Sequence, residues 1–185
     1  MKSAICFLLA GAIFIITACN NQPTVKGMEE KDDTSQPTTT ASNSDEDKEE
    51  RNKKIALASV EGISRHDVNA ALKDVAPNAA DYGDGTQTPV KSKDSIVAMV
   101  NSWLKAFPDV KASNLNAVAD GDWVVVWGDW SGTWKGDFMG QKATGKSYKI
   151  KDADIFRFND EGQMTEHHTF PTWAAMAQQI GMKMQ

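Results

Sequence analysis

The run from Asp122 to Thr169 constrains this chain most: apolar and polar residues alternate through it, tryptophan is frequent, and glycine punctuates it. A period of two broken by turn residues predicts strands rather than helices. They are expected at about Ala112–Ala119, Trp123–Trp134, Lys146–Phe158 and Gln163–Thr169. Asp120-Gly121-Asp122 and Asn159-Asp160-Glu161-Gly162 are turns that link neighbours antiparallel. On a regular strand Trp123, Val125 and Trp127 share one face, and Trp130 and Trp134 share the other.

Upstream the period becomes helical. Ile55, Ala58 and Val60 to Ile63 form a loose stripe, and Ser64 with Asp67 resembles a capping box before Val68, Ala71, Leu72 and Val75, with Pro77 as the stop. The clearest helix runs from Ser92 to Phe107, where Ile96, Met99, Val100, Trp103, Leu104 and Phe107 repeat at three-four spacing and Pro108 ends the run. Asp81-Tyr82-Gly83-Asp84-Gly85 reads as a loop between these helices, and Pro171 to Gly181 as a short helical tail. Helices first and consecutive strands afterwards predict an α+β fold, with helices packed on one face of a curved antiparallel sheet.

Gly140-Gln141-Lys142-Ala143-Thr144-Gly145-Lys146-Ser147 matches the phosphate-cradling pattern GxxxxGK[ST]. That chemistry needs a helix leaving the loop, so that its N-terminal N–H groups converge on the phosphates. Here Tyr148 to Phe158 reads as a strand, so the segment is expected to be a hairpin connection and Lys146 to bind no nucleotide.

The 185 residues, 41% hydrophobic with net charge -5, suit one globular domain plus tails. Lysines and arginines are interspersed with acids, so the clustered basic footprint of a nucleic-acid surface is missing. At the N-terminus Lys2 precedes an apolar run from Ala4 to Ile16, too short to span a bilayer comfortably. Ile16-Thr17-Ala18-Cys19 resembles the lipobox of bacterial lipoproteins, in which the Cys becomes the acylated first residue. Residues 1–18 are therefore expected to be a signal peptide, Cys19 a lipid anchor, and the mature protein a bacterial membrane lipoprotein on the periplasmic or cell-surface side. Cys6 would leave with the signal, so no internal disulfide is expected. Residues 19–50 are polar and charged with Pro23 and Pro37, and read as a disordered linker; residues 51–185 form the domain.

Phe107-Pro108-Asp109, Asp120 to Val125, Gly132 to Gly136, Phe138-Met139-Gly140 with Ala143 to Lys146, Ile155 to Phe158, Glu166 and the terminal Gln179-Ile180-Gly181 resemble the SnoaL-like polyketide cyclase (ester cyclase) family. The resemblance spans about Ile55 to Gly181. It implies the cone-shaped α+β fold of the nuclear transport factor 2-like superfamily, a small apolar pocket, and acid/base chemistry on a carbonyl compound without metal or organic cofactor. It also implies a homodimer paired through the sheet face. The family's acid just past the last strand falls at Thr172, and Ile155 to Phe158 carries no histidine where some relatives have one. A hydroxyl cannot replace a carboxylate as proton shuttle.

Strand parity places Met164, Glu166 and His168 on one face of the last strand and His167 on the other. With Met164 inward, Glu166 and His168 are expected in the pocket, joined by Asp154 from the adjacent strand beside Phe156 and Phe158. These three are the candidate catalytic groups, because a carboxylate and an imidazole in an apolar cavity tune each other toward neutral pKa. Trp127 and Trp130, with Phe156 and Phe158, are the candidate ligand-binding wall, while Trp103 and Trp123 suit core packing. His167 and His168 would point apart and His66 stands alone, so no metal site is expected. Two readings follow: a membrane-anchored lipoprotein whose pocket binds a small apolar or aromatic molecule, and a cofactor-independent cyclase- or isomerase-like enzyme.

Overall fold

The computed structural model describes residues 40–170 and 172–184, with side chains from residue 44. The predicted lipobox, Cys19 and most of the predicted linker lie outside the described residues.

Helix α1, Thr40–Ser64, opens the described chain, followed by the single turn α2, Val68–Ala71, where Asp67 accepts the Ala70 N–H. Strands β1, Val75–Asp81, and β2, Val90–Lys91, precede helix α3, Lys93–Ala106. Then come β3, Lys111–Asp120, β4, Trp123–Thr133, β5, Ser147–Phe158, and β6, Met164–Thr169. Helix α4, Trp173–Ile180, closes the chain and is capped by Gly181 at φ 72°, a left-handed conformation that glycine adopts without steric cost. The α+β architecture expected from the sequence is present: one six-stranded sheet in the order β2-β1-β6-β5-β4-β3. Its neighbours are antiparallel except β1 and β6, which run parallel.

The short strand β2 was not expected, and two further elements differ from expectation. Helix α1 reaches back to Thr40, so the linker ends about ten residues before the predicted Glu50. Its acidic and basic residues grip the turns of the sheet: Lys48 Nζ lies 2.7 Å from Asp122 Oδ1 and 2.8 Å from Asp160 Oδ1, and Glu49 Oε1 accepts the Gly121 N–H at 2.8 Å. Charge that reads as linker composition is tertiary contact here. Second, the segment around Pro77 is strand β1, not the end of a helix. The ladder with β6 pairs at Val75 and again at Ala80 and Asp81, and Pro77 falls in the irregular stretch between, where a missing N–H costs no ladder bond.

Alternate residues of β4 and β5 face the helices. Val124, Val126, Trp130, Phe156 and Phe158 are buried there, packed with Phe107, Leu104 and Ile96 from α3 and its end, Ala56 and Val60 from α1, and Met176 and Ile180 from α4. The opposite sheet face carries Trp123 and Trp127, each 40% exposed, and Val118. Strand β5 follows directly on Gly140–Ser147, as expected, so no helix N-terminus stands at that loop.

Candidate active-site cavity

The helices do not fill the concave side of the sheet completely. A cavity of about 320 Å³ remains between α1, α3, α4 and strands β1, β4, β5 and β6. Most of its wall is apolar, with Trp103, Trp130, Phe138, Phe156 and Trp173 as aromatic panels. Its polar end is built by three adjacent strands. Cross-strand partners share a face, and Asp81 on β1 is level with His167 on β6, which is level with Phe156 on β5.

Asp154 stands one same-face step along β5 from Phe156, level with Thr169, so Asp81 and Asp154 flank His167 from the two neighbouring strands. The His167 ring stacks on Phe156 with centroids 5.0 Å apart. Nδ1 donates to Asp81 Oδ2 at 2.7 Å and Nε2 to Asp154 Oδ1 at 3.3 Å. Burial works against the imidazolium, but hydrogen bonds and charge from Asp154 and Asp81 outweigh it, and the His167 pKa is pushed up to about 10. Burial alone would raise Asp81; the bond and charge of His167, with the Gly83 N–H at 2.8 Å, hold it below the ordinary carboxylate range. Asp154 is 8% exposed, and its Oδ2 has no hydrogen-bond donor among the described residues.

Asp152 lies two residues back on β5, on the same face and also at the cavity wall. Its Oδ1 accepts from Thr172 Oγ1 at 2.7 Å and from the Ala153 N–H at 2.9 Å. Burial, reinforced by the charge of Asp154, pushes its carboxyl up to about 6 against the pull of those bonds and of His167. Thr172, which stands where the family's acid would be, is thus in contact with a carboxylate supplied by the neighbouring strand. Tyr148, on the same face of β5, is kept neutral by burial, which pushes its hydroxyl above the ordinary range.

The inward pair predicted on β6 is inverted. Glu166 is level with Arg157 and His168 with Ile155, on the outer face, while His167 points inward; Glu166 still contributes to the edge of the cavity, and His168 does not line it. Glu166 Oε1 accepts from Arg157 Nη1 at 2.8 Å, which holds its carboxyl below the ordinary range, and Arg157 lies over the Trp123 ring at 5.5 Å. His168 stacks on Tyr82 with centroids 4.7 Å apart. The cause is a β-bulge: one step on β5, Phe158 to Arg157, spans two residues on β6, Met164 to Glu166. Thr165 is the extra residue, and a one-residue offset reverses every side chain beyond it. Met164 does face inward as expected, but parity cannot be carried from it past Thr165.

Of the remaining candidates, Asp154, Trp130 and Phe156 line the cavity. Trp127 does not: it pairs with Ala153 on the outer face. Phe158 faces inward but is packed in the core at 1% exposure and is not part of the cavity wall. Asp81, Asp152 and His167 were missed. The inward parity of Phe156 and Phe158 also covers Asp152, so that residue was within reach of the sequence, whereas Asp81 required the unrecognised strand β1.

The family model described as SnoaL-like polyketide cyclase matches residues 53–180. Similar solved structures include AclR of Streptomyces galilaeus, a proposed hydroxylase, at 25% identity and TM-score 0.61, covering 74% of this chain and 88% of that one. A protein of a Jannaschia species assigned to the SnoaL-like polyketide cyclases has 21% identity and TM-score 0.64 over 74% and 95% of the two chains. IdmH of Streptomyces antibioticus, a proposed polyketide cyclase, has 24% identity and TM-score 0.58 over 70% and 98%. The search of curated proteins finds no match.

Proposed function

Because the chain belongs to the SnoaL-like polyketide cyclase family, we propose that its cavity binds a small, largely apolar molecule, aromatic or carbonyl-containing, by enclosing the body and hydrogen-bonding one polar end. The observation that carries this reading is the shape and chemistry of the 320 Å³ cavity: aromatic and aliphatic around most of its wall, polar where Asp81, Asp152, Asp154, His167 and Thr172 meet. Apolar enclosure with a few convergent polar groups is the usual form of a small-molecule site. Trp103, Trp130 and Trp173 in the wall make binding visible as a change in tryptophan fluorescence. Titration with small aromatic ketones is expected to give a saturable change that Val100→Phe, which fills the cavity from α3, abolishes without unfolding the protein. A signal unaffected by that replacement would place binding elsewhere.

A second reading is favoured by one observation, the Asp152 carboxyl at about 6 beside Asp154 and His167. A group near neutrality exchanges protons readily. Asp152 would take a proton from a carbon next to a carbonyl and return it to another atom of the same molecule, an isomerisation or ring closure that consumes nothing. The test is exchange of that carbon-bound hydrogen in D2O, followed by NMR. Exchange that disappears in Asp152→Asn while binding persists supports the enzyme; binding without exchange leaves the binding protein.

The proposal extends to location. The lipobox-like Ile16-Thr17-Ala18-Cys19 supports export and acylation at Cys19, with the domain held at the bacterial membrane.

A further inference from the structure

The charges at the polar end of the cavity do not balance. Three carboxylates, Asp81, Asp152 and Asp154, stand around a single imidazolium, His167. Among the described residues no lysine or arginine lines the cavity. The carboxylate of Glu166, the other acidic residue at its edge, is turned outward to Arg157. Asp81 is satisfied by His167 and the Gly83 N–H, but Asp154 Oδ2 is buried without a donor, and Asp152 uses only Oδ1 for its bonds to Thr172 and Ala153. An ionised carboxylate in an apolar enclosure is costly unless a positive charge or strong donors face it.

We propose that the natural ligand of this cavity is an organic cation, an apolar or aromatic amine whose protonated nitrogen sits between Asp152 and Asp154. The ammonium supplies the donor that Asp154 Oδ2 lacks, offers Asp152 a charged partner beside Thr172, and neutralises the excess charge left after His167 is counted. The aromatic panels favour the same ligand, because a cation is attracted to the faces of Trp and Phe rings, and Trp130 and Phe156 stand next to the carboxylates on β4 and β5. An anionic ligand would meet the same field with the opposite sign. This inference rests on the cavity being the binding site and narrows what it takes.

The test compares molecules of one shape and three charges: phenylpropylamine, phenylpropanol and phenylpropionate, titrated by calorimetry at neutral pH. The amine is expected to bind at least about tenfold more tightly than the alcohol, a difference of about 1.4 kcal/mol, and the carboxylate not to bind. In Asp152→Asn/Asp154→Asn the amine should lose its advantage and bind no more tightly than the alcohol does to the same variant, with the fold checked by circular dichroism. If the double variant fails to fold, the comparison on the unmodified protein still decides. An alcohol or carboxylate that binds as tightly as the amine overturns the cation and leaves the cavity reading standing. So does an amine preference that survives the double replacement. If no member of the series binds, the cavity reading falls as well.

Discussion

His167 determines how the polar end of the cavity behaves with pH. Its folded pKa, about 10, lies above the ordinary 6.5, so the folded protein holds that proton more tightly than the unfolded chain. The stability it contributes is complete below pH 6.5 and is lost as pH rises toward 10. Asp152 acts in the same direction lower down: its pKa is raised from 3.8 to about 6, so ionising it over that interval also destabilises the fold. Asp81 has the opposite sign, contributing stability above pH 3.8 that disappears as acid protonates it. Urea denaturation at a series of pH values should therefore show stability declining from pH 6.5 to 10. His167→Gln is expected to flatten that decline, and Asp81→Asn to move its end to lower pH by removing one of the two carboxylates that hold the imidazolium. A decline of the same steepness in His167→Gln would show that the ring is not the group responsible.

At the scale of elements, the site depends on how α1 and α2 close over the sheet. Gly62, buried on α1, faces the backbone of α2, and a Cβ added there would stand 2.8 Å from Ala71 Cα. Backbone cannot rotate out of the way as a long side chain can, so the helices must separate. Gly62→Ala is expected to cost about 2 kcal/mol, in the range for overpacked interiors, read as a lower urea midpoint with unchanged slope. Because Val60 and Ile63 on the same helix line the cavity, the variant should also weaken ligand binding. Unchanged stability would mean that the α1–α2 contact is looser than its geometry implies. The bulge at Thr165 works at the same scale, since one additional residue decides which of two adjacent histidines enters the site.

For the whole molecule, the folded unit begins earlier than its composition implies, because Lys48 and Glu49 join α1 to the turns between β3 and β4 and between β5 and β6. A tether from Cys19 would then be shorter than one reaching Glu50. Cys19→Ala is expected to move the protein from the membrane fraction to the soluble fraction, and the unmodified protein to carry an acyl mass lost in the variant. Retention in the membrane together with an unacylated parent protein would sink the anchor. The cavity is unaffected by this test, so the anchor and the site stand or fall separately.

Local chemistry alone determined the period-two strands from Trp123 to Thr169, the amphipathic helix before Pro108, the strand that follows Lys146, and the inward parity of Trp130, Asp154 and Phe156, because each of these depends on neighbours a few residues away. Only the tertiary structure decided that Asp81 belongs to the site, since β1 is a strand by virtue of pairing with β6, 86 residues later at Asp81 and His167, and its Pro77 argues locally against it. It also decided that His167 rather than His168 faces the carboxylates. A bulge is set by the register of two strands and leaves no mark in the alternation of one.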